Sequence, residues 1–88
     1  MGLLSLAPGV ALVDEEDVTY LATIPWGPIV VLDGVAPTIW RVARGSARED
    51  VPRRVAEETG ADLDEIRGDV DRFLADLLER GLLVETAV

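Results

Sequence analysis

Apolar residues recur at every second position in two stretches near the start of the chain, Val10 and Leu12, then Val18, Tyr20, Ala22 and Ile24. A period of two is that of a half-buried strand, and the acidic run Asp14-Glu15-Glu16-Asp17 between the stretches reads as a solvated turn. The second stretch ends at Pro25-Trp26-Gly27-Pro28, where two prolines and a glycine favour a turn. Beyond it, Pro28-Ile29-Val30-Val31-Leu32 is apolar at consecutive positions. A strand there puts Ile29 and Val31 on one face and Val30 and Leu32 on the other, and both faces need cover. Together the segments predict a three-stranded antiparallel meander.

The period then lengthens to that of helices. Asp33 is placed to cap a helix carrying Val35, Ile39, Trp40, Val42 and Ala43, with Pro37 tolerable only near its start and Gly45 at its end. Ser46-Ala47-Arg48-Glu49 has the spacing of a capping box for a second helix through Val51, Val55 and Ala56, although Pro52 argues for a start at Asp50. After Gly60, Asp62 opens the longest segment, whose Leu63, Ile66, Val70, Phe73, Leu74, Leu77 and Leu78 form one apolar stripe. Its acids point in other directions, with Arg67, Arg72 and Arg80 at pairing distance along the helix. Gly81 closes it, and Leu82-Leu83-Val84 returns as a short strand or packs on the core. The expected fold is α+β and winged helix-turn-helix-like: an N-terminal three-stranded antiparallel sheet followed by three helices. It forms a single domain over residues 1–88, with no repeats or internal linkers.

Composition narrows the function more than the fold. With 88 residues, 49% of them apolar, the chain suffices for one core and not for two domains. It contains no histidine, no cysteine and no lysine, which removes disulfides, thiol nucleophiles, thiolate metal sites and the commonest metal ligand and acid–base group. Ser5 and Ser46 therefore lack an activating base. The acid pairs Glu15-Glu16 and Glu57-Glu58 lie on solvated segments, whereas general acid–base chemistry needs a partly buried cleft. The chain reads as a binding module with no catalytic residues, no metal and no cofactor.

Seventeen acids against eight arginines give a net charge of −9, which repels nucleic-acid phosphate and anionic membranes and favours basic partners. The N-terminal Met1-Gly2-Leu3-Leu4-Ser5-Leu6 lacks the positive flank and long apolar core of a signal peptide. No stretch approaches the roughly 20 apolar residues of a membrane span, so a cytoplasmic protein is expected. Strand 28–32, at the edge of a small sheet, can accept an extended peptide as a fourth strand or pair with a second copy to form a homodimer. The pattern alone leaves open a third arrangement, in which the long helix and the N-terminal residues cover both faces. DNA binding by a winged helix is the runner-up activity, opposed by the charge.

From about Val10 to Val84 the chain resembles the PqqD-like proteins, also called RiPP recognition elements. The likeness lies in a strand ending at Leu32, polar Asp33, small Ala36, Ile39-Trp40, Gly45, and a helix with Val51 and Val55. It continues through Asp69-Val70, Phe73-Leu74, Leu77 and Gly81-Leu82-Leu83. The resemblance implies a stand-alone bacterial protein that holds the leader of a ribosomally made precursor peptide and presents it to a modifying enzyme or leader peptidase. It also implies that the leader adds beside the third strand, at Ile29, Val30, Val31 and Leu32. The facing helix wall would then include Ile66, Asp69, Val70, Phe73 and Leu77. Acids on that helix, Asp69 and Asp76, would favour leaders carrying Lys or Arg. A lasso-peptide pathway is the expected setting, because stand-alone recognition proteins are typical there. Trp40 is expected in the core and Trp26 exposed in its turn. The chain departs from the family pattern at Asp33, where many relatives have Asn, and in its 25–28 turn and Pro37.

Overall fold

Strand β1 (Gly2–Leu6) opens the chain, followed by β2 (Val10–Glu15), β3 (Val18–Thr23) and β4 (Ile29–Leu32). Helices α1 (Ala36–Ala43), α2 (Val51–Thr59) and α3 (Leu63–Glu79) come next, and β5 (Leu83–Ala87) ends the fold. This is a computed structural model that describes residues 2–24 and 27–87. The expected turn at Pro25 and Trp26, with the exposed position of Trp26, lies outside the described residues.

The period-two segments form the expected antiparallel meander in the order β2-β3-β4. Val13 pairs with Tyr20 and Tyr20 with Val31, while Leu12 pairs with Leu21 and Leu21 with Val30. The β2–β3 turn is only Glu16 and Asp17, and Glu16 takes φ +56°, a left-handed conformation of the kind two-residue hairpin turns demand. Leu21 and Leu32 face inward and are buried. So is Thr19, whose hydroxyl donates to Asp14 Oδ1 at 2.6 Å.

A second sheet is absent from the sequence expectation: β1 pairs antiparallel with β5, Leu4 facing Glu85 and Leu6 facing Leu83. The Leu4 N–H also donates to the Ser46 carbonyl at 2.8 Å, and its own carbonyl accepts from the Gly45 N–H at 2.7 Å. Those bonds tie β1 to the link between α1 and α2, and Leu4 is fully buried. The α+β class, the antiparallel strands and the three helices are as expected, but the strands divide into sheets of three and two.

Two expected caps do not form. The residue before α1 is Val35, and Asp33 contributes its backbone carbonyl to the Ala36 N–H rather than its carboxylate. Ser46 makes no capping box: its hydroxyl donates back to the Val42 carbonyl at 2.6 Å and accepts from Arg54 Nη1 at 3.0 Å. A 3-10 turn, Arg48–Asp50, intervenes, and α2 begins at Val51. Pro52 fits there because a residue without an N–H is tolerated in the first turn, where no intrahelical acceptor exists. Asp62 does cap α3, accepting from the Asp64 N–H at 2.9 Å. Gly60 ends α2 at φ +77°, a region costly for other residues.

Residues of all three helices and of both sheets share one core around Trp40, Leu74 and Leu77. Trp40 is buried, as its helical position predicts.

Candidate functional site

β4 is an edge strand, with β3 on one side and no strand on the other among the described residues. Which of its backbone groups are free follows from the ladder. The Ile24 N–H donates to the Gly9 carbonyl at 2.9 Å, one step past the Val10–Thr23 pair. Even-numbered residues of β3 therefore turn their N–H and C=O towards β2, and Thr19 and Leu21 turn theirs towards β4. Facing residues of an antiparallel pair exchange both bonds or neither, so Val30 bonds with Leu21 and Leu32 with Thr19. The N–H and C=O of Ile29 and Val31 are left facing the open edge, an arrangement that can take an added strand.

The side chains divide by the same parity. Ile29 is 70% exposed and Val31 53%, both on the outer face, whereas Val30 is half-buried and Leu32 buried on the inner one. Of the α3 residues singled out from the sequence, Val70 and Leu77 are buried in the core with Leu32. Ile66 and Phe73 are half-buried and pack against that core, as does Val30. Asp69 is exposed. Leu32, Val70 and Leu77 thus hold the framework, and the accessible surface comes from Ile29, Val31 and Asp69 with the outer parts of Val30, Ile66 and Phe73.

Beside Val30 the structure opens a cleft of about 140 Å³ lined by Thr23, Pro28, Arg80 and Leu82. Pro28 opens the edge strand read from the sequence, whereas Thr23, Arg80 and Leu82 were not singled out there as site residues. Arg80 read only as a pairing partner for helix acids, and Leu82 as part of a short returning strand or of the core. The one usable signal was Gly81, whose left-handed φ of +75° reverses the chain and brings its two neighbours back towards the strand end. Arg80 Nε donates to Asp76 Oδ2 at 3.0 Å, and Arg72 pairs with Asp69. Both acids expected to recruit basic residues thus already have arginine partners, in exposed pairs of small energetic weight. Among the described residues no three His, Cys, Asp or Glu side chains gather as a metal site. No described helix is long and apolar enough to cross a membrane.

Residues 9–83 match the family described as coenzyme PQQ synthesis protein D (PqqD). The solved structure of TbiB1 in complex with the TbiA(beta) leader peptide has a similar fold, with a TM-score of 0.79 and 24% identity. The match covers 96% of this chain and 99% of that one. The glutamylation domain TbtB from thiomuracin biosynthesis matches with a TM-score of 0.58 and 25% identity, over 99% of this chain and 11% of that one. This chain therefore corresponds to about a tenth of that protein's length. No curated protein matches the sequence.

Proposed function

The chain belongs to the PqqD family, and from that membership we infer that it binds the leader segment of a ribosomally synthesised precursor peptide and delivers it to a modifying enzyme or leader peptidase. The observation that carries this reading is the free edge of β4, with the N–H and C=O of Ile29 and Val31 unpaired beside the cleft at Val30. The TbiB1 relative, similar in fold along nearly its whole length, is itself a leader-peptide complex, which supports the same role here. TbtB, from thiomuracin biosynthesis, supports a setting in peptide natural-product pathways.

The leader adds to β4 as a fourth strand. Its backbone bonds to Ile29 and Val31 supply affinity that depends little on sequence. Alternate leader side chains point inward to the cleft lined by Val30, Arg80 and Leu82, and the proposed contact continues along α3 to Phe73 and Ile66, which are half-buried against the core. Selection of particular leaders resides in those contacts. Leu32, Val70 and Leu77 hold strand and helix at the required separation, and Asp69 lies on the exposed side of the helix wall. The protein acts in the cytoplasm as a binding partner with no catalytic step of its own, and a lasso-peptide pathway is its proposed setting.

The test is fluorescence anisotropy of the labelled leader of a precursor from the same gene cluster, titrated with the protein at low and moderate salt. Saturable binding that survives salt and disappears with a scrambled leader is the expected result. Absence of binding by folded protein, or equal binding of the scrambled peptide, overturns the reading.

A further inference from the structure

Trp40 is 1% exposed, and its indole Nε1–H meets no acceptor among the described residues. The Nε–H of Arg44, one helical turn on, is likewise buried and unpaired. Buried donors in folded proteins are nearly always paired, and these two cannot satisfy each other, because indole and guanidinium only donate. The Arg44 guanidinium lies over the indole, 5.6 Å from the ring centroid. Both side chains line a groove of about 710 Å³, whose helical wall comes from α1 and whose other wall, from the β2–β3 hairpin, carries Asp14, Glu16 and Asp17.

We propose that this groove binds the terminal carboxylate of a lysine or arginine residue, supplied as the free amino acid or as the last residue of a peptide. The carboxylate lifts the Arg44 guanidinium from the indole and accepts from both orphaned donors, while the basic side chain reaches the acids of the hairpin. The stacking given up is weak beside the charge-assisted hydrogen bonds gained.

The charges on the two walls select this dipolar ligand. Asp14 already accepts from the Thr19 hydroxyl at 2.6 Å, and Arg41 Nη2 donates to Glu58 Oε1 at 2.6 Å. Glu16 and Asp17 on the hairpin and Arg44 on the helix are left without an ion-pair partner among the described residues. Inorganic phosphate would pair with Trp40 and Arg44 but would face the free carboxylates, and a simple cation would answer the carboxylates but leave both donors unpaired. A carboxylate and a cation on one residue answer both walls. None of the residues lining the groove lines the leader site, and β2 is the strand farthest from the open edge of β4. The two sites are therefore separate.

The probe is L-arginine, titrated into isotope-labelled protein while the indole N–H signal of Trp40 is followed by NMR, a Trp26→Phe variant identifying that signal. Saturable movement of the Trp40 signal is expected. L-argininamide, which lacks the carboxylate, and L-norvaline, which lacks the guanidinium, should each bind at least about tenfold more weakly. The acetylated tripeptide glycyl-glycyl-arginine separates the two sources: tighter binding than free arginine assigns the groove to a chain end, weaker binding assigns it to the amino acid, and either supports the site. Glu16→Gln combined with Asp17→Asn should weaken arginine about fivefold, with melting temperature and leader affinity unchanged. A Trp40 signal unmoved by about 10 mM arginine overturns the proposal, since a built site should fill well below that concentration. So does equal binding of argininamide, norvaline or inorganic phosphate, or equal arginine binding by the double variant. A parallel loss of leader affinity in the double variant overturns the separation of the two sites.

Discussion

Replacing Val31 by proline deletes a backbone donor that faces the open edge, while the same change at Val30 deletes a donor spent on Leu21. For Val31→Pro the missing N–H removes one hydrogen bond to the leader and leaves a leader carbonyl without its partner. At a partly exposed edge this amounts to about 1–3 kcal/mol, or roughly a 5- to 150-fold rise in Kd. The fold loses nothing it uses, and proline is tolerated on edge strands, so the melting temperature should stay within a few degrees of wild type. For Val30→Pro the carbonyl of fully buried Leu21 is orphaned, which costs about 2–4 kcal/mol with the lost ladder bond. Against a total stability of about 4–13 kcal/mol for a chain of this length, that is a large fraction. It should lower the melting temperature by at least about 8 °C. Anisotropy of labelled leader gives the first quantity, and the fluorescence of buried Trp40 during heating gives the second. A Val31→Pro protein that melts like wild type and binds leader equally well refutes strand addition at this edge. A Val30→Pro protein with wild-type stability refutes the assignment of which donors are free.

Leu4→Ala removes a fully buried side chain from the core shared by the two sheets, and urea denaturation should show a loss of about 2–5 kcal/mol. Asp14→Ala strands the buried Thr19 hydroxyl at a cost of about 1–3 kcal/mol. Adding Thr19→Val should recover most of that loss in the same assay, and additivity of the two changes would refute the coupling. Asp62→Ala deletes the cap of α3 and should cost about 0.5–2 kcal/mol in stability, with leader affinity unchanged in anisotropy.

Local rules explain which elements were legible. The strands through Val10–Leu12 and Val18–Ile24 formed because a hairpin closed by the two residues Glu16 and Asp17 pairs neighbours in sequence. The apolar set Val18, Tyr20 and Ala22 of β3, continued by Ile24, nevertheless lies on the face turned away from the core, and Thr19 and Leu21 are the buried positions. The long stripe from Leu63 to Leu78 and its cap at Asp62 survived for the same reason, since a helix satisfies its own backbone. The caps at Asp33 and Ser46 failed where prolines and a competing local acceptor were close by. Pro37 and Pro52 set where each helix begins, and the Val42 carbonyl took the Ser46 hydroxyl. In the candidate site, the strand 29–32 was readable as apolar on both faces, but Arg80 and Leu82 entered the cleft only through the reversal at Gly81.

The sequence by itself determined where strands β2 to β4 lie, the apolar stripe of α3, and the absence of thiol, imidazole and lysine chemistry, because each depends only on residue identity and local spacing; which face of β3 is buried it did not determine. It also carried the resemblance that led to the family. Tertiary structure alone decided that β1 finds β5 at the far end of the chain, that β4 lies at the edge, and that Ile29 and Val31 hold its free backbone groups. Those outcomes turn on pairing between distant segments, where loop closure, core packing and ladder parity compete. A shift of one residue in register would have exchanged the buried and exposed faces without altering the sequence pattern.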